Sequence, residues 1–195
     1  MLFRSVYGGI AGETMSADIS HGLGRREPDM DVVKAEMARA EAPFHAPVAI
    51  RQPKARTTNH IRDSLLDLMW DDVGIIRDKS GMTRALGRLG ELGHELITIG
   101  VPDGDRRFNL SWSDWLNLRS QIELSKVITH AALKRENSRG AHYREDFTDA
   151  GDLATSRFTI VRDIDGRLDV SDEAVQFTHV KPGDTLIRDE IKAAE

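Results

Sequence analysis

The 195-residue sequence contains no cysteine. That absence excludes disulfide frameworks, thiolate-held metals, cysteine nucleophiles and cysteinyl iron–sulfur ligation, and it suits a reducing compartment. No apolar run approaches the length a bilayer-spanning helix needs. The opening Met1-Leu-Phe-Arg-Ser lacks the charged-then-apolar order of a secretory leader. Basic charge is not in excess either: 27 Lys+Arg stand against 32 Asp+Glu, a formal net charge of −5. A chain of that balance has no general attraction to nucleic acid or anionic lipid. The seven histidines never form H-x-H or H-E-x-x-H, and G-x-S-x-G is missing, so neither a first-row metal centre nor a serine-hydrolase elbow is expected. What remains is 39% hydrophobic residues, enough for one packed domain with a small second lobe.

Small residues dominate Ser5 to Ser16, where Gly8-x-x-x-Gly12 would let a helix approach another element closely. It is not a phosphate loop, because the G-x-G-x-x-G order between a strand and a helix is missing. Gly22, Gly24 and Pro28 break the pattern, a short amphipathic helix is expected over Asp31–Ala42, and Pro43, Pro47 and Pro53 mark a linker. From Thr58 the helical period strengthens. One stripe runs through Ile61, Leu65, Leu68, Met69 and Ile76; Ser80-Gly81 interrupts it; a second runs through Ala85, Leu89, Leu92, Leu96 and Ile99. A third helix should start at Ser111, with Asp114 completing a capping box and Leu110 stapling onto Trp115. It should run to about Arg135 with Trp115, Leu118, Ile122, Leu124, Val127, Ile128 and Ala131 inward. After residue 150 the period shortens. Phe158–Val161 and Arg167–Val170 flank Asp165-Gly166, a type I′ hairpin signal, and a further strand is expected at Val175–Val180 before a charged tail. The expected fold is mainly α: an antiparallel three-helix bundle followed by a small antiparallel β hairpin, α+β overall. Trp70, Trp112 and Trp115 read as packing residues, and Arg77-Asp78-Lys79 as a solvated helix end.

One stretch differs in kind. Lys134 to Asp146 gathers Arg135, Arg139, Arg144, His142 and three acids around Gly140. Basic residues in a last helical turn offset the helix dipole, and Gly140 suits the left-handed position just past a helix end. Arg139, His142 and Arg144 exceed that need. They could bind an anion through guanidinium forks or pin one part of the fold to another.

Ser138-Arg-Gly-Ala-His-Tyr-Arg-Glu-Asp146 resembles the SRGAH-x-R-x-D motif of the succinate dehydrogenase/fumarate reductase flavoprotein subunits, a family that includes L-aspartate oxidase. Trp70-Asp-Asp-Val-Gly-Ile-Ile-Arg77 is similar to that family's M-W-x-x-x-G-I-x-R segment, and Val6-Tyr-Gly-Gly-Ile-Ala-Gly12 to the V-x-G-G-x-A-G ending of its FAD domain. The matches keep the family's order from about residue 5 to residue 147. Two positions depart from it: Asn137 stands where Glu is usual, and Ser120 where Asn is common.

The resemblance implies an FAD-dependent oxidoreductase that moves hydride between a dicarboxylate and flavin, with this chain as its C-terminal helical domain. The family's dinucleotide fingerprint and substrate-binding segments have no counterpart here. Residues 1–24 are then expected to be a remnant of the last FAD-domain helix, 25–57 a short helix and linker, 58–150 the bundle and 151–195 a β tail. Such a fragment would be inactive alone and would not hold FAD tightly. Its implied partners are the FAD-binding domain of the parent flavoprotein and an iron–sulfur or other electron-transfer subunit, with no nucleic acid and no direct membrane insertion. A cytoplasmic location follows, peripheral to the membrane if partner subunits lie there. No catalytic residue and no metal ligand is assigned; Arg139, His142 and Arg144 are expected on a loop facing the flavin domain. The alternatives are a stand-alone helical module that docks on a flavoprotein or electron-transfer subunit, or the equivalent domain of L-aspartate oxidase or another dicarboxylate dehydrogenase.

Overall fold

The structure, a computed structural model, describes residues 2–24, 26–46, 57–102 and 104–184, with backbone alone for 2–5. The expected linker prolines Pro47 and Pro53 and the charged tail from residue 185 lie outside the described residues. The chain divides into two units, Met1–Ala40 and Glu41–Glu195.

The first unit carries α1 (Leu2–Ser20) and most of α2 (Met30–Glu41). Gly8, Gly9 and Gly12 do not stop α1, and a Cβ added at any of them would meet nothing within 4 Å. Val6, Tyr7, Ile10, Met15 and Ile19 are exposed along it. In α2, Asp29 Oδ1 accepts from the backbone N–H of Asp31 at 2.9 Å, placing a carboxylate at the helix start.

The second unit opens with a 3-10 helix, Ala42–His45, rather than a bare linker. Pro43 is buried, and Phe44 meets Trp112 edge-on with centroids 5.0 Å apart. Then come α3 (Thr58–Val73), β1 (Ile76–Arg77), α4 (Lys79–Ile99), α5 (Leu110–Lys134), β2 (Tyr143–Arg144), a second 3-10 turn (Leu153–Thr155), β3 (Arg157–Ile164) and β4 (Arg167–Ala174). The three long helices pack as an up-down-up bundle. Arg84 near the start of α4 pairs with Asp72 near the end of α3 at 2.6 Å. Trp115 near the start of α5 donates its indole N–H to Leu96 O near the end of α4 at 2.9 Å.

Two apolar clusters fill the bundle. The larger comprises Ile61, Leu65, Leu89, Leu92, Leu96, Trp115, Leu118 and Ile122; the smaller comprises Val73, Met82, Ala85 and Ala132. The helical stripes thus do their expected work, with four differences. Ser80 and Gly81 do not interrupt a helix but lie in the first turn of α4, because Asp78 caps it by accepting from Gly81 N–H at 2.6 Å. Ile76 leaves the α3 stripe, since that helix ends at Val73 and Ile76 is exposed in β1. The N-cap of α5 is Asn109, whose side chain accepts from Trp112 N–H at 2.9 Å, so Ser111 sits inside the helix, and Leu110, its first residue, is exposed.

The fourth difference lies in the second half of α5. Stepping by three or four residues from Trp115, Leu118 and Ile122 leads to Ser125, Thr129 and Ala132, and these are the buried positions. Leu124 is 59% exposed and Ile128 42%. Thr129 loses nothing by burial, because its hydroxyl donates to Ser125 O at 2.7 Å. Trp70, expected in packing, is 72% exposed.

β3 and β4 pair antiparallel from Arg157↔Ala174 to Ile164↔Arg167. Asp165 (φ 52°) and Gly166 (φ 79°) supply the two left-handed residues that a type I′ turn requires. No strand forms at 175–180. The ladder ends at Arg157↔Ala174, and one further bond, from the N–H of Val175 to Ser156 O at 2.9 Å, closes it. Among the described residues no helix is long and apolar enough to cross a membrane.

Candidate functional site

The charged loop after α5 folds inward onto the end of the bundle. The last carbonyls of a helix have no partner within it. At the end of α5 one side chain supplies most of those partners: Arg144 Nη1 shares its two N–H groups among the carbonyls of Ala132, Leu133 and Arg135 at 3.1, 3.1 and 3.0 Å. Its Nε and Nη2 grip Asp146 bidentately at 2.7 and 2.6 Å, and its guanidinium lies 4.9 Å from the Phe147 ring centroid. Arg144 is 1% exposed. Such a charge is tolerated in the interior only because carboxylate and carbonyls surround it.

Asp146 reaches a second helix. Its Oδ2 accepts from Lys79 N–H at 3.0 Å, placing negative charge at the N-terminus of α4. Arg144 first, and the Lys79 amide after it, hold the Asp146 carboxyl down at about 2.

A third helix end is closed by Arg77, whose Nε donates to Val73 O and Gly74 O at 3.0 and 2.7 Å, the final carbonyls of α3. The chain turns there at Gly74, where a Cβ would come 2.2 Å from Trp70 O, so no other residue fits. Burial, then the neighbouring charge of Arg135, push Arg77 below the ordinary guanidinium range.

His142 joins the two systems. It is 8% exposed. Arg77 Nη1 lies 2.8 Å from His142 Nδ1, and His142 Nε2 lies 3.3 Å from Arg135 O. A guanidinium can only donate and a carbonyl only accept, which fixes a neutral ring protonated at Nε2. Burial depresses the His142 pKa; the bond to Arg135 O opposes this, and Arg135, Arg77 and Arg144 reinforce it. Backbone pairing follows the same seam: β1 and β2 run parallel, Ile76 opposite Tyr143 and Arg77 opposite Arg144.

Arg139 turns the other way. Its Nε and Nη2 donate to Ala150 O at 3.0 and 2.6 Å, and its Nη1 to Ser156 Oγ at 2.8 Å, tying the loop to the base of β3. Ser138 Oγ accepts from Arg144 N–H at 2.8 Å and donates to Phe147 O at 2.7 Å. Gly140 (φ 61°) is not the residue past the end of α5. It is the first central residue of a tight turn closed between Arg139 and His142, where glycine relieves the left-handed strain. At the two positions that depart from the family motif, Ser120 bonds Leu116 O within its own helix, and Asn137 accepts weakly from Arg135 at 3.4 Å.

The structure therefore gathers His142 and Arg144 around the end of α5 and sends Arg139 to the hairpin. Two members of the network were missed from sequence. Arg77 looked like solvated charge, yet its place at the end of the W-x-x-x-G-I-x-R segment was the available signal; Asp146 closed the SRGAH-x-R-x-D motif and carried the same kind of signal. Beside the loop lies a cleft of about 260 Å³ whose lining includes Arg135, Arg139, Arg157, Asp152 and Asp172. It does not fit a dinucleotide: both signs of charge line it, and the donors of Arg139 are already used on protein oxygens. Among the described residues no group of three His, Asp or Glu could hold a metal ion.

Fold and network together define a helical-bundle domain closed at one end by an internal arginine clasp. Residues 62–186 match the family model described as fumarate reductase flavoprotein C-term, and the chain belongs to that family. A fumarate reductase (CoM/CoB) subunit of Methanothermobacter marburgensis is 39% identical over 87 residues, 45% of this chain and 16% of that protein. The fumarate reductase flavoprotein subunit of Mycobacterium tuberculosis is 33% identical over 127 residues, 65% of this chain and 22% of that one. The chain thus spans a quarter or less of the curated relatives it matches. The solved Mycobacterium smegmatis Sdh1 complex superposes with TM-score 0.64 at 26% identity, covering 91% of this chain and 28% of that chain. Adenylylsulfate reductase from Archaeoglobus fulgidus shares the fold alone: TM-score 0.71 at 17% identity, with 88% and 28% covered.

Proposed function

We propose that this chain works as the C-terminal helical domain of an FAD-dependent, succinate dehydrogenase/fumarate reductase-type flavoprotein, a platform against which the flavin-binding domain packs. In that reading 58–150 is the bundle, 151–195 a β tail and 1–24 a helix belonging to the flavin domain. FAD, held elsewhere, supplies the hydride chemistry on a dicarboxylate. This chain's own residues supply shape and rigidity. Arg139, His142 and Arg144 act as positioning residues: they hold the loop that faces the flavin domain, while exposed Tyr143 and Glu145 make its outer surface. An iron–sulfur or other electron-transfer subunit completes the assembly, and any membrane association comes through such partners.

The match of residues 62–186 to the family model carries this reading. The outward Leu124, Ile128 and Trp70 support it, since apolar side chains in these numbers suit a surface covered in the assembly. The test uses the purified chain and the Mycobacterium tuberculosis relative truncated before its matching region. Alone, the chain should show no flavin absorbance and no turnover of succinate or fumarate. Added to the truncated relative, it should restore flavin retention. Turnover by the chain alone, or no effect on the truncated relative, would sink the reading.

A further inference from the structure

His142 occupies an unusual position for a group that titrates near neutrality. Its two nitrogens bridge two helix ends: Nδ1 accepts from the arginine that caps α3, and Nε2 donates to the carbonyl of Arg135, the residue just past α5. The backbone runs the same way, because Glu145 N–H donates to Arg77 O at 2.9 Å beside it. The charged groups around the ring are Arg77 from β1, Arg144 from β2 and Arg135 from the end of α5. Arg139 is joined to His142 only through backbone, and its guanidinium is engaged on Ala150 and Ser156. The network's carboxylate, Asp146, faces Arg144 and the Lys79 amide instead. Among the described residues the charges that act on the ring are these three guanidinium groups, and no carboxylate is among them.

We infer that His142 is a proton-operated latch: neutral, it locks Arg77 and the end of α3 to the end of α5; protonated at Nδ1, it releases Arg77 and opens the β1–β2 seam. A proton on Nδ1 sets one N–H against another and adds a fourth positive charge to three guanidinium groups. The ring escapes only by leaving its seat, which frees Arg77 Nη1 and exposes the pairing of Glu145 with Arg77. The depressed pKa of the seated ring gives the sign. The open state takes up the proton more readily, so the closed seam is complete above the ordinary imidazole range and weakens as pH falls below about 6.5. One proton linked to opening changes the open population about tenfold per pH unit.

The whole chain serves as its own probe. Ring nitrogen NMR at neutral pH should show His142 as the Nε2–H tautomer. Amide exchange, corrected for its intrinsic pH dependence, should show Glu145 protection falling about tenfold per unit below about pH 6.5, while Leu92 in the core keeps its protection. His142→Gln should abolish that pH dependence. His130→Gln should leave it unchanged, which separates the latch from the other histidine that burial depresses. If His142→Gln does not fold, the wild-type tautomer and the Glu145 exchange profile still decide. An Nδ1–H tautomer, pH-independent protection of Glu145, or equal loss at Leu92 would overturn the latch.

Discussion

The two ends of the bundle are held by different physics. At one end Leu92, Leu96, Trp115 and Leu118 interlock, and the buried Trp115 indole finds its partner in Leu96 O. At the other the fully buried apolar residues are Val73, Met82, Ala85 and Ala132, with Leu68, Met69 and Leu133 partly buried against them, and three helix termini converge. Converging helix ends leave backbone groups near one another that apolar packing cannot satisfy. Arg77, Arg144 and Asp146 satisfy them: two arginines close the carbonyl ends of α3 and α5, and Asp146 joins the cap Asp78 at the amide end of α4. A charged motif that reads as a ligand site can therefore be a substitute for a core.

The strongest way to break this contrast is Arg144→Met, which removes the guanidinium from three carbonyls and from the Asp146 carboxylate. It should cost about 3 kcal/mol in urea-monitored unfolding of the isolated chain. Leu92→Ala at the apolar end should cost about 2–5 kcal/mol through lost burial and a cavity. The pair is told apart by acid. Asp146 has its carboxyl lowered to about 2, so it stabilises the fold fully above the ordinary carboxylate range and loses that contribution as pH falls toward about 2. Stability of Leu92→Ala should fall across that range with the wild-type slope, whereas Asp146→Asn should show a shallower one. The smallest effect is expected at exposed Trp70: Trp70→Ala should change stability by no more than about 0.5 kcal/mol. Its effect should show instead as weaker association with the truncated flavoprotein relative.

Much of the apolar end was legible in sequence, because Ile61, Leu65, Leu89, Leu92 and Leu96 repeat at three and four residues and burial follows that period. The hairpin was legible for an equally local reason, the Asp165-Gly166 pair. Helix starts were less so. Ser111 and Asn109 are both good caps, and only the backbone decides which side chain meets a free amide. In the second half of α5 hydrophobicity pointed the wrong way, since Leu124 and Ile128 are the larger apolar residues but Ser125 and Thr129 hold the inward phase. The clasp was half visible. Arg139, His142 and Arg144 stood out as a cluster, yet their partners are carbonyls of α5, the β3 base and Arg77, 65 residues from His142 in sequence. Carbonyl acceptors carry no letter in a sequence, which is why internal capping and anion binding could not be told apart there.

Whether the motif's charges act on one another and on helix ends is tested most directly by a double-mutant cycle. Arg144→Met and Asp146→Asn are combined, and urea unfolding of the full chain is followed without added ligand. The two losses should be coupled by at least about 1 kcal/mol, the double variant being far less damaged than the sum. Additivity within about 0.5 kcal/mol would contradict the clasp and return the loop to an outward, ligand-facing role.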